Sequence, residues 1–531
     1  MTQYDVAIIG AGSAGALLAA RLSEDPARQV LLIEAGGEPT DPDIWKPAMW
    51  PAIQHRSYDW DYRTLPQKGT AGRSHAWARG KALGGSSLLH AMGYMRGHPA
   101  DFAAWAEATG DERWSWEGLL PAFLAIEDHS LGGDGIHGKG GPMPVWIPGD
   151  EVSPLAQAYM RAGEALGLPR IPGHNTGKMV GVTPNSLMIR DGRRVTVSEA
   201  WLTPSVRARS NLTIMTGTLA RSLELDGSKV AALEVVGPTG SVRIGADTLV
   251  LSAGSLESPA LLMRSGIGPE DVLKQAGVTC RVKSPELGCN LMDHLLGAGN
   301  LYAARKEVAP SRLQHSESMA YMRAGDFNAD GQPEIVVGCG VAPIVSECFT
   351  APSPGTAYSF LFGVTHPTSR GDVRISGPEM TDPLQIDPCY LQTDHDRRMF
   401  RAALAAAREI GQQVELAEWR SHELLPGPLD TTEEIDAFIA KAAITHHHPS
   451  GTCRMGKDET AVVDPTLRLR GLDNLYVVDG SVLPSLTAGP IHAAILAVAE
   501  TFARQIAGAR NPISPTGLRD GGGALAGSGQ L

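Results

Sequence analysis

Residues 4–15, with the sequence YDVAIIGAGSAG, carry the pattern that decides the fold. A short apolar run predicts a β-strand, and it leads directly into a GxGxxG motif. In such a motif Gly10 permits a tight turn, Gly12 lets the backbone approach a pyrophosphate, and Gly15 lets a helix pack closely on the strand. The stretch therefore predicts a nucleotide-binding turn between a strand and a helix.

The residues after the motif complete a βαβ unit. Residues 14–22 predict a helix, whose first N–H groups, near Ser13 and Ala14, would face a bound phosphate. Residues 30–33 predict a second strand, and the Glu34 carboxylate after it can accept hydrogen bonds from a ribose diol. The unit predicts a dinucleotide site without separating FAD from NAD, and a glutamate rather than an arginine argues against a 2′-phosphate.

The composition is that of a globular chain with a substantial core. Of 531 residues, 43% are hydrophobic and 20% are charged, and the length suggests about two to four domains. The formal charge is −12 and the basic residues are scattered, so neither nucleic acid nor an anionic membrane surface is an expected partner. Residues 1–10 do not have the pattern of a secretory leader, and the sequence has no apolar run of about 18 residues and no CxxC pair among its six cysteines. These features predict a reduced, cytoplasmic protein.

Three local patterns outside the first unit predict structure. Residues 230–236 and 242–251 flank a Gly-Pro-Thr-Gly turn, which indicates a β-hairpin. Alanine and leucine recur with arginine over residues 397–412, which predicts a helix. Residues 509–531 are rich in glycine and serine, which favours a disordered tail.

Four further segments resemble the signatures of one enzyme family, the glucose-methanol-choline (GMC) oxidoreductases, which use FAD. The segments are residues 80–97 (GKALGGSSLLHAMGYMRG), 254–268 (GSLESPALLMRSGIG), 446–456 (HHHPSGTCRMG) and 477–490 (VVDGSVLPSLTAGP). Their order and spacing fit the family from residue 4 to about residue 507.

The resemblance implies an α/β fold with two domains. A Rossmann-like FAD-binding domain of the GMC type, built around a mostly parallel sheet, would comprise residues 1–150, 195–300 and 445–508. A substrate-binding domain with an antiparallel sheet, residues 151–194 and 301–444, would cap the flavin.

By the same resemblance, three groups of residues bind FAD. The ADP half would contact Gly10, Gly12, Ser13, Ala14, Gly15, Glu34 and Ala35; the flavin would lie along Arg79, Gly84, Gly85, Ser86, His90, Ala91 and Met92; and the pyrophosphate and ribityl chain would lie near Ala253, Gly254, Asp479 and Gly480. Some family members bond the flavin to a histidine at the position of Leu89, so leucine there predicts non-covalent FAD. For His90, direct flavin contact and a structural hydrogen bond both remain open.

The histidine of the segment HPSGT, His448, matches the catalytic base of the family. Hydride transfer from an alcohol carbon requires loss of the hydroxyl proton, and a neutral imidazole with a pKa of about 6.5 accepts that proton well. If the segment is extended, His446 shares the side of His448 and His447 points away. His446 then either positions the substrate or only packs. No metal is expected, because neighbouring residues of a strand do not converge on one ion.

A second active-site residue is expected after the base, and two candidates exist. His492 lies 44 residues after His448, near the spacing of the second histidine or asparagine of the family. Pro490 occupies a neighbouring register, and it would bind the substrate by shape alone. A helix that begins near Ile491 would also explain a proline at this point. We favour Pro490 against the flavin, with His492 as the alternative.

The stretches 95–105, 181–202 and 444–456 resemble those family members that oxidise the 4′-hydroxymethyl group of pyridoxine. This resemblance implies oxidation of a small primary alcohol to an aldehyde, with dioxygen reduced to hydrogen peroxide. A dehydrogenase with another electron acceptor and a flavin-containing lyase are the alternatives within the family. A disulfide reductase would need a close pair of cysteines, and a non-catalytic nucleotide-binding protein would leave the HPSGT histidine unexplained.

Overall fold

The computed structural model describes residues 2–327 and 329–510. The helices of the described chain, α1 to α11, are Ser13–Leu22, Pro99–Thr109, Trp116–Ile126, Pro154–Ala165, Val197–Trp201, Pro204–Arg207, Gly254–Arg264, Glu270–Gln275, Asp394–Gln412, Thr432–Ala442 and His492–Arg510. Its strands, β1 to β24, are Thr2–Ile9, Val30–Ile33, Tyr62–Arg63, Ala76–Trp77, Glu127–His129, Met143–Val145, Gly181–Pro184, Ile189–Arg190, Arg193–Arg194, Leu212–Met215, Leu219–Asp226, Lys229–Gly237, Gly240–Leu251, Ile267–Gly268, Val282–Lys283, Leu295–Ala304, Ser316–Met322, Ile335–Gly340, Ala357–Val364, Asp372–Ile375, Leu384–Asp387, Arg420–Leu425, Ala443–Thr445 and Leu475–Val477.

The first sheet has seven strands in the order β10-β2-β1-β13-β12-β11, with β24 also paired to β13. The strands β10, β2, β1, β13 and β24 pair in parallel, whereas β11, β12 and the first part of β13 pair antiparallel. The strand β2 and the second half of β1 are wholly buried, as expected for a parallel sheet that is covered on both faces. The sheet is therefore the mostly parallel one that the family resemblance implied.

The turn between β1 and α1 depends on two glycines. Gly10 has a φ of +98°, and a Cβ there would lie 2.5 Å from the carbonyl oxygen of Ser252. At Gly15 a Cβ would lie 1.9 Å from the carbonyl oxygen of Gly10. The missing side chains let α1 lie directly on the ends of β1 and β13, so the predicted βαβ unit is confirmed.

The second sheet has seven antiparallel strands in the order β22-β16-β19-β18-β17-β7, with β23 also paired to β16. Side chains alternate between its two faces, as the pleat of a strand requires. Phe360 and Phe362 of β19 join the main core, and Phe362 contacts Phe400 of α9. Leu361 between them points the other way, into an apolar cluster with Met319 of β17. One face of this sheet thus carries helices, and the other forms one wall of the cavity described below.

The fold class is confirmed, and the structure moves several predicted boundaries. The boundary at residues 300/301 falls inside β16, which belongs wholly to the second sheet. The boundary at 444/445 falls inside β23 of the same sheet. The hairpin β20–β21 lies within the predicted substrate-binding domain, yet β20 contacts α7, the helix that follows β13 of the first sheet. Each boundary was drawn from motif positions, whereas strand pairing over long distances decides which sheet a segment joins.

The local predictions agree with the observed elements. The strands β12 and β13 form the predicted hairpin, and α9 begins at Asp394, three residues before the predicted start of that helix, because Thr393 caps it. The helix α11 continues to Arg510, so residues 509 and 510 of the predicted tail are helical. The rest of that tail, 511–531, lies outside the described residues. None of the described helices has the length and apolar character needed to cross a membrane.

Candidate active site

A cavity of about 860 Å³ opens at the carboxyl ends of the parallel strands and continues under the second sheet. Its volume lies near the upper end for ligand sites in proteins. Ile9 at the end of β1, Ile33 at the end of β2 and Ser252 after β13 line one end. The predicted site residues that line it are Gly10, Gly12, Ser13, Ala14, Glu34, Ala35, Arg79, Gly85, Ser86, His90, Ala91, Ala253, Gly254, His446, His448, Asp479, Gly480, Pro490 and His492. Residues that are distant in sequence thus meet in one cavity, at the edge where open α/β sheets bind ligands.

Glu34 is fixed in place at the end of the cavity lined by Ile9, Ile33 and Ser252, which we call the nucleotide end. One carboxylate oxygen accepts the Ala11 N–H at 2.9 Å, and the other accepts the Gly36 N–H at 2.9 Å. Burial raises the pKa of Glu34 to about 7. Hydrogen bonds from ribose hydroxyls would favour the charged form of this carboxylate, so the site fits the ribose of FAD.

Gly12 and Gly85 face each other across the floor of the nucleotide end. A Cβ on Gly85 would lie 2.6 Å from the Gly12 Cα, whereas a Cβ on Gly12 would meet only the Gly85 Cα, at 3.9 Å. The space above Gly12 is therefore open next to the first turn of α1. The N–H groups of this turn and the helix dipole favour an anion there, which fits a pyrophosphate.

Three predicted cofactor residues do not line the cavity. Gly15 provides the helix packing described above. Gly84 has a φ of +112°, and a Cβ there would lie 2.9 Å from the Ser198 Oγ. The side chain of Met92 is buried in the core, and its backbone has a φ of 57°. These three residues shape the loops around the cavity, but they do not form part of the cavity wall.

Asp479 joins the loop after β24 to the start of α7. Its carboxylate accepts the Gly254 N–H at 2.9 Å and the Ser258 hydroxyl at 2.6 Å. It also accepts the N–H and the hydroxyl of Ser481, at 2.8 and 2.5 Å. Burial raises the pKa of Asp479, against these hydrogen bonds. Asp479 thus orients two segments of the cavity wall.

His90 lines the cavity and also makes structural hydrogen bonds. Its Nδ1 lies 3.1 Å from the Met92 N–H and 3.0 Å from the guanidinium of Arg194. Because both partners are donors, Nδ1 must be the acceptor, and the ring proton is on Nε2. Burial holds the pKa of His90 well below its usual value. Leu89 beside it also lines the cavity and is 3% exposed.

The three histidines after β23 form a turn. Thr445 ends β23, and His447 has a φ of 60°, so the expectation of an extended segment is wrong. The rings of His446 and His448 nevertheless lie on the same side, with their centroids 4.3 Å apart. His447 lines the cavity as well, and its carbonyl oxygen accepts a hydrogen bond of 2.7 Å from Arg79. Arg79 therefore stabilises the turn that presents His446 and His448.

Two neighbouring residues, Asp293 and His294, hold His448. The Nδ1 atoms of His294 and His448 are 2.9 Å apart, and the His448 N–H donates to the Asp293 carboxylate at 2.6 Å. The same carboxylate accepts hydrogen bonds from the hydroxyls of Thr445 and Tyr390. Burial raises the pKa of Asp293 to about 6. This pair could not be predicted from the sequence, because it lies more than 150 positions before His448 and no local pattern marks it.

The site keeps its imidazoles neutral. Burial, and then the neighbouring His446 and His294, hold the pKa of His448 well below its usual value. Burial also lowers the pKa of His446 to about 4. The expectation of a base with an unperturbed pKa near 6.5 is therefore wrong for His448. Its lone pair is present at any working pH, but a positive charge on its ring is disfavoured unless a negative charge forms nearby.

The two candidates for the second active-site residue lie in different surroundings. His492 begins α11, and its Nδ1 is 3.1 Å from the hydroxyl of Ser13 in the first turn of α1. Pro490 approaches Gly93, and Gly489 before it lies against Met95 of the apolar cluster. Pro490 thus lies beside the apolar part of the cavity, whereas His492 lies at the nucleotide end, beside Ser13.

The end of the cavity under the second sheet is mainly apolar. Its wall includes six aliphatic or thioether side chains, Met95, Leu296, Met319, Ile344, Leu361 and Ile444. Ile444 is two residues before His446 and four before His448, so the apolar wall adjoins the imidazoles. A flat ring that carries a hydroxymethyl group would bury its apolar faces here.

Comparisons with known proteins agree with this architecture. Two family models described as GMC oxidoreductase match residues 4–296 and 367–499. Pyridoxine 4-oxidase of Microbacterium luteolum is 79% identical over 502 residues, which cover 94% of this chain and 99% of that protein. The crystal structure of pyridoxine 4-oxidase from Mesorbium loti has a TM-score of 0.94 at 70% identity, over 94% of this chain and 99% of the other. The mitochondrial choline dehydrogenase of Homo sapiens is 34% identical over 545 residues, 95% of this chain and 90% of that protein.

Proposed function

The chain belongs to the GMC oxidoreductase family of FAD-dependent enzymes, and from this premise we propose that it oxidises pyridoxine to pyridoxal. In this reaction the 4′-hydroxymethyl carbon loses a hydride and its hydroxyl loses a proton. Both electrons and two protons reach dioxygen, which becomes hydrogen peroxide. The proposal rests above all on the neutral imidazole of His448, which lines the apolar part of a cavity whose other end fits ADP.

His448 is the base in this proposal. FAD, when bound, supplies the hydride acceptor. The imidazole of His448 takes the hydroxyl proton of the substrate on Nε2. Because burial disfavours a charged ring, a proton transfer that precedes hydride departure is unfavourable, and we expect the two transfers to be coupled.

His446 and Pro490 complete the substrate end. The ring of His446 lies against that of His448, where it can donate a hydrogen bond to a ring substituent or to the substrate hydroxyl. Pro490 offers no donor, so it orients the substrate by contact. His492, bonded to Ser13, then belongs to the cofactor end. Leu89 carries no nucleophilic atom at the cavity wall, which supports FAD that is bound without a covalent link.

The names of the relatives differ in the substrate and the type of reaction that they give. The 79% identical relative is named for oxidation of pyridoxine by an oxidase, whereas those near 34% identity are named for choline dehydrogenation. A quaternary ammonium group is commonly recognised by an aromatic cage. All six side chains of the apolar wall beside the imidazoles are aliphatic or thioether groups of Leu, Ile and Met, which suit a flat ring better.

A substrate panel with a His448 variant tests the proposal. The FAD-loaded protein is given pyridoxine, benzyl alcohol, choline and a cyanohydrin, while oxygen uptake and peroxide are measured. We expect turnover of pyridoxine with one peroxide per aldehyde, and a kcat lowered about 100- to 10,000-fold in His448→Ala. The exposed His422, on β22, gives the control His422→Ala.

The outcomes separate the alternatives. Flavin bleaching by an alcohol without oxygen uptake would indicate a dehydrogenase with another acceptor. Cyanohydrin cleavage without bleaching would indicate a lyase. Full activity of His448→Ala, with the control unchanged, would refute the role of this imidazole as base.

A further inference from the structure

His294 makes two contacts that together define its protonation. Its Nε2 lies 2.8 Å from the carbonyl oxygen of Thr365, and its Nδ1 lies 2.9 Å from the Nδ1 of His448. A carbonyl oxygen only accepts, so the Nε2 of His294 must carry the proton. A neutral imidazole carries one N–H, which leaves Nδ1 of His294 as an acceptor.

The protonation of His448 follows from that of His294. Since the Nδ1 of His294 accepts, the Nδ1 of His448 must donate. The neutral ring of His448 then has its lone pair on Nε2. Among the hydrogen bonds of the described residues none involves this nitrogen, and the residue lines the cavity. The lone pair is therefore available to a substrate.

The two residues that His294 joins, Thr365 and His448, are themselves held in place by other hydrogen bonds. Thr365 is 1% exposed, and its N–H and hydroxyl bond the carbonyl oxygens of Glu334 and Pro333. Asp293, next to His294, holds the backbone N–H of His448. The adjacent residues Asp293 and His294 thus hold the backbone and the side chain of His448, respectively. His294 itself does not line the cavity. Its side chain is bonded to His448 and its ring lies 6.4 Å from that of His446, so it acts on a substrate only through these cavity histidines.

We propose that His294 is a positioning residue, which holds His448 in the tautomer with Nδ1 protonated, so that the Nε2 lone pair faces the substrate. This proposal rests on the role of base given to His448 above. Without His294, the ring of His448 could rotate or protonate Nε2 instead, and the substrate hydroxyl would then meet a donor rather than a base.

Neutron diffraction from deuterated crystals of the FAD-loaded protein tests the tautomer directly. We expect deuterium on the Nδ1 of His448 and on the Nε2 of His294. Deuterium on the Nε2 of His448 would overturn the proposal. This measurement needs neither a variant nor a substrate, so it stands even if pyridoxine proves not to be the substrate.

Two amide variants give a kinetic test. In His294→Asn the amide oxygen lies near the position of Nδ1 and can still accept from His448. In His294→Gln the amide lies near Nε2, so the bond to Thr365 is kept and the acceptor for His448 is lost. With the alcohol identified in the panel, we expect kcat within about tenfold of the parent for Asn, and about 100-fold lower for Gln.

The split between kcat and KM distinguishes positioning from a general structural role. Because His294 does not line the cavity, KM should stay near the parent value in both variants. Flavin content and thermal midpoints verify that each variant folds and binds FAD. A kcat that falls equally in the Asn and Gln variants, or falls more in Asn, would overturn the proposal.

Discussion

At the scale of single residues, Asp293 receives more hydrogen bonds than the single oxygen of an amide can accept. The carboxylate accepts the His448 N–H and the hydroxyls of Thr445 and Tyr390. In Asp293→Asn the amide NH₂ would face at least one of these donors, and a buried donor would lose its acceptor. We expect a loss of about 1–3 kcal/mol in the free energy of unfolding, measured by urea denaturation. Asp226→Asn, at the exposed end of β11, is the control and should change stability little.

The same residues explain what the sequence could predict of the site. His448 was predicted because HPSGT is a local motif, and Gly12 and Glu34 because the fingerprint is local too. Asp293 and His294 were not, since their contacts with His448 join loops more than 150 positions apart. The lowered pKa of His448 was also beyond prediction, because burial is a property of the folded cavity and not of the motif.

At the scale of elements, glycine substitutions at the first turn of α1 distinguish a packing role from a role in ligand binding. A Cβ on Gly12 has space, because its nearest neighbour would be the Gly85 Cα at 3.9 Å and the Gly12 φ is −79°. We therefore expect Gly12→Ala to fold with a near-parental thermal midpoint but to lose FAD affinity, since the methyl group occupies the path of the pyrophosphate. Equilibrium titration of the apoprotein with FAD, followed by flavin fluorescence, measures this loss.

Two other glycines give the matched controls. Gly37 has nothing within 4 Å of an added Cβ, so Gly37→Ala should leave both folding and FAD affinity unchanged. Gly15→Ala should lower the thermal midpoint, because its Cβ would clash with the Gly10 carbonyl oxygen at 1.9 Å. If Gly12→Ala binds FAD as tightly as the parent, the phosphate does not pass over this glycine.

The predicted elements succeed or fail for a common reason. The βαβ unit, the hairpin β12–β13 and α9 were predicted because periodicity and turn residues are local signals. The turn at His447 was not, since its positive φ depends on contacts from Arg79 and Thr445. The boundary in β16 failed because Leu295–Ala304 pairs with strands that follow it by about 60 to 150 residues, as their register gives.

At the scale of the whole molecule, buried imidazoles should control stability against acid. Burial lowers the pKa of ten histidines in the described chain, His75, His90, His98, His129, His174, His294, His446, His447, His448 and His492. Each takes a proton near pH 6.5 when unfolded but only at a lower pH when folded, which is about 4 for His75, His174, His446 and His492 and about 3 for His129, His294 and His447. Their stabilising contribution is complete above pH 6.5 and is lost as the pH falls from there toward 4.

Three buried carboxyl groups act in the opposite direction. Burial raises the pKa of Glu34 to about 7, that of Asp293 to about 6 and that of Asp479 above its usual value, so each favours the folded state more as the pH falls through its folded pKa. Because ten histidines oppose three carboxyl groups, we expect the urea midpoint of the FAD-loaded protein to fall between pH 7 and pH 5 at constant ionic strength. A midpoint that stays constant or rises over this range would contradict the expectation.

A pair of histidine variants isolates the contribution of one imidazole. His174 is 1% exposed, lies outside the proposed active site, and has a pKa lowered to about 4 by burial. Removal of this titrating group in His174→Gln should therefore reduce the pH dependence of the unfolding free energy by up to about 1.4 kcal/mol per pH unit between pH 6 and 5. The change in slope is independent of any loss of packing, which lowers stability equally at each pH. His422→Gln, at an exposed position, should leave the slope unchanged, and equal slopes for all three proteins would mean that buried histidines do not cause the acid sensitivity.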